Sequence, residues 1–359
     1  MFPLGVAVVG ASAQRQGWAT ATHLPAIDAL PDYRLAAVGT SSPESARAAA
    51  EAFGVPGHAM LGDLLAQPDV DLVTIAVKVT RSPDLVTQAL ESGKAVYHEW
   101  PLGRGTAEAE SLARAAERAG VRTLVGLQGR YDPAVVRARE LVAEGYVGTV
   151  LSTSMHAAGV SWGMTTTPSS AYLFDEASGA SPLSVTAVHA LDTIAAVLGE
   201  PSWLTADLST HPQTVEITGA GSVPTTVARH VAILGRIGAA PLVLEVDGGP
   251  ARGDGLTWSI TGTDGELVIS SPTPNGNIQS TALELRGGRR SDTGLSRLTV
   301  PSDGLPAGPA GNVARLYAAF ARDLRNSTST VPDFAHAVTR HQLVDTLLEQ
   351  AAAIVPVGA

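Results

Sequence analysis

The sequence predicts an α/β chain in two parts: a doubly wound parallel sheet, then an α+β domain with a large open mixed sheet. Three observations point there. Short β-branched apolar runs alternate with amphipathic helical stretches as far as residue 128, strands then follow one another through Gly-rich turns, and 359 residues exceed one ordinary core. The expected division is residues 1–128 and 129–359. With 45% hydrophobic and 16% charged residues, the chain has the composition of a packed protein.

The run Leu4 to Val9 reads as a strand ending in Gly10, and a helical pattern opens after Gly17. A second strand, Arg34 to Val38, stops at Gly39-Thr40-Ser41-Ser42-Pro43, where a hydroxyl can cap the helix Glu44 to Phe53. The unit repeats with strands Asp71 to Val77, Ala95 to His98 and Arg122 to Leu127, separated by helices Pro83 to Ser92 and Thr106 to Ala119. Such alternation implies a parallel sheet covered on both faces.

In the second half, strands are expected at Thr149 to Ala157, Trp203 to Leu208, Thr225 to Ile233, Pro241 to Asp247, Leu256 to Thr261, Glu266 to Ser270 and Ala282 to Arg286. Gly235-Arg236-Ile237-Gly238 and Gly262-Thr263-Asp264-Gly265 read as turns between them. Helices recur at Ser184 to Leu198, Asn312 to Arg325 and Phe334 to Ala352, and Pro301 to Gly311 reads as a loop.

Composition narrows the function. The formal charge is −10, and no basic cluster exceeds Arg289-Arg290, so direct nucleic-acid binding is not expected. Of 24 basic residues only Lys78 and Lys94 are lysine. There is no cysteine, which removes disulfides, thiolate nucleophiles and zinc-thiolate sites. No apolar run approaches the roughly 20 residues that span a bilayer, and Met1 to Gly10 lacks a basic n-region, so a cytoplasmic protein without a membrane partner is expected.

The loop after the first strand reads Gly10-Ala11-Ser12-Ala13-Gln14-Arg15-Gln16-Gly17-Trp18. A glycine at a strand tip lets the backbone approach a pyrophosphate, and the following helix offers free N–H groups and its positive dipole end. On the first strand of a repeating βα series this points to a Rossmann-like nucleotide site, with a plain βα turn as the alternative. The second strand ends in Thr40 and Ser41 rather than an acid; uncharged hydroxyls tolerate a 2′-phosphate, with Arg47 one turn on, so NADP fits at least as well as NAD.

Gly93-Lys94-Ala95-Val96-Tyr97-His98-Glu99-Trp100-Pro101-Leu102 resembles the G-K-x-V-x-x-E-K-P element of the Gfo/Idh/MocA oxidoreductases. The likeness extends from the Gly10 loop to His189-Ala190-Leu191-Asp192, which matches the H-x-x-D helix of that family. Gly17-Trp18, Glu99-Trp100, Leu127-Gln128-Gly129-Arg130 and Gly145-Tyr146-Val147-Gly148 look like the branch of the yeast galactose-regulon repressor and its bacterial relatives. The resemblance implies a small-molecule sugar or polyol substrate and a homo-oligomer, most simply a homodimer joined through the open face of the second sheet. It also implies a cofactor site drawn from Gly10, Ala11, Ser12, Gly17, Trp18, Thr40, Ser41, Val77, Lys78, Glu99, Trp100 and Gln128.

In that family the lysine of E-K-P stands beside the reacting carbinol, and an acid lies four residues before the histidine. This chain has Trp100 and Val185 at those positions and keeps His189. An indole N–H donates a hydrogen bond but exchanges no proton near neutral pH, whereas imidazole is suited to do so. His189, Lys78 and Asp192 are therefore the catalytic candidates. Lys78, at the carboxyl edge of the sheet, would serve as a proton relay if desolvated, or else contact ribose or cap the strand end. Asp192 would orient the helix face beside His189 or bond the backbone.

Trp100, Arg130, His156, Trp162 and His189 are the candidate substrate contacts. Arg130 would bind an anion or a hydroxyl pair, or form an interdomain salt bridge; His156, Trp162 and Tyr172 would line a sugar ring or pack in the core. His23 is expected near the cleft, and Lys94 at a structural helix exit. His58, His98, His211, His230, His336 and His341 stand at no metal-ligand spacing with carboxylates, so no metal site is expected. Two functions fit these readings: an NAD(P)-dependent oxidoreductase, or a catalytically silent NAD(P)-binding regulator.

Overall fold

The computed structural model describes residues 3–352; the expected limits at residues 1 and 359 lie outside them. The chain divides into two compact units. One runs through Gln128 and takes back Leu305–His341; the other holds Gly129–Gly304 and the chain from Gln342. The sequence reading had kept 305–341 with the second part.

The helices are α1 (Leu24–Asp28), α2 (Pro43–Phe53), α3 (Leu61–Leu65), α4 (Ser82–Glu91), α5 (Thr106–Ala119), α6 (Pro133–Ala143), α7 (Val188–Leu198), α8 (Pro309–Asn326) and α9 (Phe334–Ala352). In the first unit β1 (Leu4–Val9), β2 (Tyr33–Gly39), β3 (Gly57–His58), β4 (Leu72–Ile75), β5 (Ala95–Glu99) and β6 (Thr123–Gly126) form one parallel sheet in the order β3-β2-β1-β4-β5-β6. Every residue of β1 and β4 is buried, as a sheet covered on both faces requires. The strand order reverses between β1 and β4, and ligands of such sheets bind at the carboxyl ends of the strands at that point.

α2 opens on a capping box in which Ser42 and Ser45 each accept the other's backbone N–H. The segment after Gly17 begins as a π-helix, Ala19–His23, before tightening into α1. α8 belongs with this unit for a physical reason. Its Tyr317 and Phe320 are fully buried, Tyr33 donates to the Tyr317 carbonyl at 2.7 Å, and Val125 N–H bonds the Pro332 carbonyl at 2.8 Å, which extends the hydrogen bonding beyond β6.

The second unit contains β7 (Val150–Gly159), β8 (Thr165–Thr166), β9 (Trp203–Ser209), β10 (Thr214–Ile217), β11 (Gly221–Pro224), β12 (His230–Ile237), β13 (Ala240–Gly248), β14 (Leu256–Gly262), β15 (Gly265–Ser271), β16 (Glu284–Arg289) and β17 (Ser296–Arg297). Eight of these build a mixed sheet, β17-β16-β15-β14-β7-β13-β12-β9, in which only β7 and β13 pair in parallel. β8, β10 and β11 make a small separate sheet.

The expected strand at Thr225 to Ile233 is displaced. Thr225 bonds the Phe174 carbonyl and Val227 packs with Trp162, so the β-branched stretch feeds a local core and β12 starts only at His230. Gly235 lies inside β12 rather than in a turn, where an added Cβ would meet Leu204 at 2.4 Å and the Trp203 carbonyl oxygen at 2.5 Å; the hairpin turns at Gly238, φ 57°. α6 was absent from the sequence reading although Asp132-Pro133 starts it, with Asp132 accepting the Ala134 N–H at 2.9 Å.

Candidate functional site

β1 ends at Val9, and Gly10 follows with φ 107°. A Cβ at Gly10 would lie 2.4 Å from the Ala76 carbonyl oxygen and 3.2 Å from the Val77 side chain. Only glycine lets the turn after β1 press against the chain leaving β4, at the point where the sheet reverses. Ala11 is buried, Ser12 is half-buried, and Ala13 to Gly17 are exposed. The Thr20 hydroxyl ties back to both the N–H and the carbonyl of Gly17 at 3.0 Å. Trp18 Nε1, buried, has no hydrogen-bond partner among the described residues.

At the end of β2, Thr40 is drawn into the cap of α2: its hydroxyl accepts from Ser45 at 2.9 Å, while Ser41 is exposed. Lys78 starts the 3₁₀ turn that follows β4 and is exposed, which removes the desolvation a relay would draw on. Lys94 is structural, its Nζ donating to the carbonyls of Gln67 and Val70 at 3.1 and 2.7 Å.

The end of β5 carries a buried polar chain. Glu99 Oε1 lies 2.9 Å from His23 Nε2, His23 Nδ1 lies 3.0 Å from the Tyr317 hydroxyl, and that hydroxyl lies 2.6 Å from Thr74 Oγ1. His23 is thus inside the unit, at 0% exposure, rather than facing a cleft. Burial pushes the Tyr317 hydroxyl well above the usual tyrosine range, against the hydrogen bond shared with Thr74. Gly126 lies directly beside the Glu99 carboxylate, where a Cβ would sit 2.7 Å from Oε2. Trp100 is buried, and its ring stacks at a tilt on His341 with centroids 4.6 Å apart. His98, one residue before Glu99, is pushed down to about 4 by burial, with His341 adding a smaller repulsion. Gln128 is buried, and its Oε1 has no partner among the described residues.

In the second unit the segment before α7 is a π-helix, Pro182–Ala187, and His189 is the second residue of α7. His189 is nearly buried, and its carbonyl accepts the Thr193 hydroxyl at 2.8 Å. π-Segments recur at functional positions; among the described residues one ends at His23 and another leads into His189. Asp192 and Arg130 form a two-pronged ion pair, Nε to Oδ2 at 2.9 Å and the second prong at 2.5 Å. Arg130 therefore has an acid from its own unit as partner, and Asp192 a cation.

Two expected substrate contacts sit elsewhere. Trp162 is a core residue, packed with Phe174, Val215 and Val227, flanked by Val185, and donating its indole N–H to the Leu173 carbonyl at 3.0 Å. His156 lies on the solvent-facing side of β7, with Nε2 3.0 Å from Asp247 Oδ2, and His230 Nδ1 lies 2.6 Å from Oδ1. Burial raises the Asp247 pKa, but the two imidazole hydrogen bonds outweigh it and hold the carboxyl below its ordinary range. Tyr172 is half-buried, with its hydroxyl pushed up by burial.

Residues 4–127 match the oxidoreductase family with an NAD-binding Rossmann fold, and residues 133–271 match the Gal80p C-terminal domain. A dehydrogenase, aclE, of Aspergillus oryzae is 30% identical over 89% of this chain and 87% of its own length. The chain belongs to the Gfo/Idh/MocA oxidoreductase family. Within it, the galactose/lactose metabolism regulatory protein GAL80 of Saccharomyces cerevisiae is 27% identical over 92% of this chain and 85% of its own. A crystal structure of a Gal80p super-repressor mutant from the same yeast covers 98% of this chain and 96% of its own at TM-score 0.88 and 24% identity. Levoglucosan dehydrogenase in complex with NADH and levoglucosan covers 97% of each chain at TM-score 0.81 and 22% identity, a likeness of fold. No helix of the described residues is long and apolar enough to cross a membrane.

Proposed function

We propose that the chain is an NAD(P)-dependent oxidoreductase acting on a sugar, cyclitol or related polyol derivative. The observation that carries this reading is the close approach of Gly10 to Ala76 at the sheet reversal, in a chain of the NAD-binding family. The buried donor Trp18 Nε1 and acceptor Gln128 Oε1 fit a polar ligand, as do the hydroxyls of Thr40 and Ser41 at the end of β2. Their neutrality accommodates either coenzyme. The relatives named inositol 2-dehydrogenase and levoglucosan dehydrogenase support the polyol class.

When bound, the nicotinamide supplies the hydride chemistry. The loop from Gly10 to Gly17 and the first turn after it hold the pyrophosphate, and Glu99, fixed by His23, presents an oriented acceptor. Trp100 stands where the family has its lysine; it shapes the pocket and exchanges no proton. His189 takes or returns the proton of the reacting hydroxyl, and Lys78 contacts the cofactor. Absorbance at the nicotinamide band, followed with a panel of sugars and their keto forms, tests this. Turnover lost in His189→Ala but kept in a surface variant is expected.

A second reading, a nucleotide-binding regulator without turnover, is favoured by two replacements: Trp100 is packed on His341, and Val185 lies against the Trp162 core. Coenzyme binding with no turnover across the whole panel would select it.

A further inference from the structure

One face of the second unit's sheet points away from the buried Met155, Ala157, Leu244 and Val246, and on it stand two histidines and two carboxylates in one group. Strand register brings them together across 91 residues of sequence. His230 of β12 pairs with Asp247 of β13, and Glu245, two residues back on the same side of β13, pairs with His156 of β7. Side chains alternate along a strand, so the four occupy the corners of a quadrilateral on three adjacent strands.

Asp247 lies between the imidazoles at the distances given above, and Glu245 Oε1 is 3.6 Å from His230 Nε2. One ligand atom each from His230, Glu245 and Asp247 lie within 4.8 Å of one another. An ion bonded at about 2.0–2.2 Å to nitrogen and oxygen holds its ligands about 3–4 Å apart, so small side-chain rotations suffice to close the set. In the single chain the four side chains are 34–53% exposed. Imidazole with carboxylate and no thiolate suits zinc and its neighbours among divalent transition metals.

We propose that His230, Glu245 and Asp247, joined by His156, form a binding site for a divalent transition-metal ion on this sheet. The site is built wholly within the second unit and is independent of the nucleotide reading. The ion crosslinks β7, β13 and β12, and binding to the folded state alone raises thermal stability.

Full-length protein, free of affinity tag and stripped with chelator, is titrated with Zn²⁺ by calorimetry, and with Co²⁺ by absorption as a reporter of coordination geometry. One ion per chain is expected, with a Zn²⁺-dependent rise in Tm. His156→Ala and His230→Ala each weaken binding at least tenfold, the double variant abolishes it, and the exposed control His211→Ala leaves it unchanged. Circular dichroism of the metal-free variants, together with Asp247→Asn, which keeps the side-chain shape, separates ligand loss from misfolding. Absence of Zn²⁺ binding, or affinity and Tm shift unchanged in the folded double variant, overturns the proposal.

Discussion

Glu99 and His23 are joined by a 2.9 Å contact at the end of β5, and the other nitrogen of His23 engages the Tyr317 hydroxyl of α8. The imidazole thus connects a carboxylate at the end of the sheet to a helix more than 200 residues later in the chain. Replacing it with leucine removes the His23 partner of both Glu99 and Tyr317, the latter keeping its contact with Thr74. His23→Leu is expected to lose about 1–3 kcal/mol of stability, measured by urea unfolding. It is also expected to weaken nucleotide binding, because Glu99 loses its orienting partner. Unchanged coenzyme affinity in a folded His23→Leu protein would remove that positioning role.

Gly10→Ala places a methyl group 2.4 Å from the Ala76 carbonyl in a backbone conformation, φ 107°, that L-residues avoid. Coenzyme affinity, read by quenching of intrinsic fluorescence, is expected to fall at least tenfold.

Arg130 and Asp192 are 17% and 1% exposed at their side chains. Arg130→Met leaves a buried carboxylate without its cation, with an expected cost of about 3–5 kcal/mol in chemical denaturation. Arg130→Met with Asp192→Leu removes both charges and is expected to recover more than half of that loss.

His98 gives a pH signature. Burial depresses its folded value to about 4, whereas an unfolded histidine titrates near 6.5. Between those limits the unfolded chain binds a proton that the folded chain refuses. The contribution is complete above the unfolded value and is lost as pH falls toward about 4. In His98→Gln the slope of stability against pH across that window is expected to fall by up to about 1.4 kcal/mol per unit. An unchanged slope would mean His98 is not kept neutral.

At the far end of the strands from His230 and Asp247, the same sheet face exposes Trp203, Leu234 and Val243, at 53%, 53% and 43%. Contiguous exposed apolar side chains mark interaction surfaces, and a homodimer through this face is expected. Trp203→Glu with Leu234→Glu is expected to halve the mass seen by light scattering.

The parallel sheet was legible because β1 and β4 are short, mostly apolar runs, buried throughout, and are followed by Gly10 or by the residues facing it. α9 was read at its observed limits, and β7, β9 and β13 to within two residues. The failures share a cause: a local pattern cannot say which core a side chain serves. Val227 looked like a strand residue and fills the Trp162 core; Gly235 looked like a turn and lies in β12, packed against Leu204. The Asp132-Pro133 start of α6, followed by apolar Val135, Ala138 and Leu141, is a local helix signal carried by the sequence. Among candidate site residues, the Gly10 turn followed from strand and glycine. The Glu99–His23–Tyr317 chain and the His156–Asp247–His230 group depend on segments brought together only by folding.

The return of 305–341 to the first unit has a consequence for synthesis. When residue 128 leaves the ribosome, His23 and Tyr33 still lack Tyr317, and Val125 lacks the Pro332 carbonyl. The nucleotide-binding half can therefore reach its final packing only after residue 341 has been made. An excised version of it needs residues 305–341 spliced back on, rather than a stop codon after Gln128.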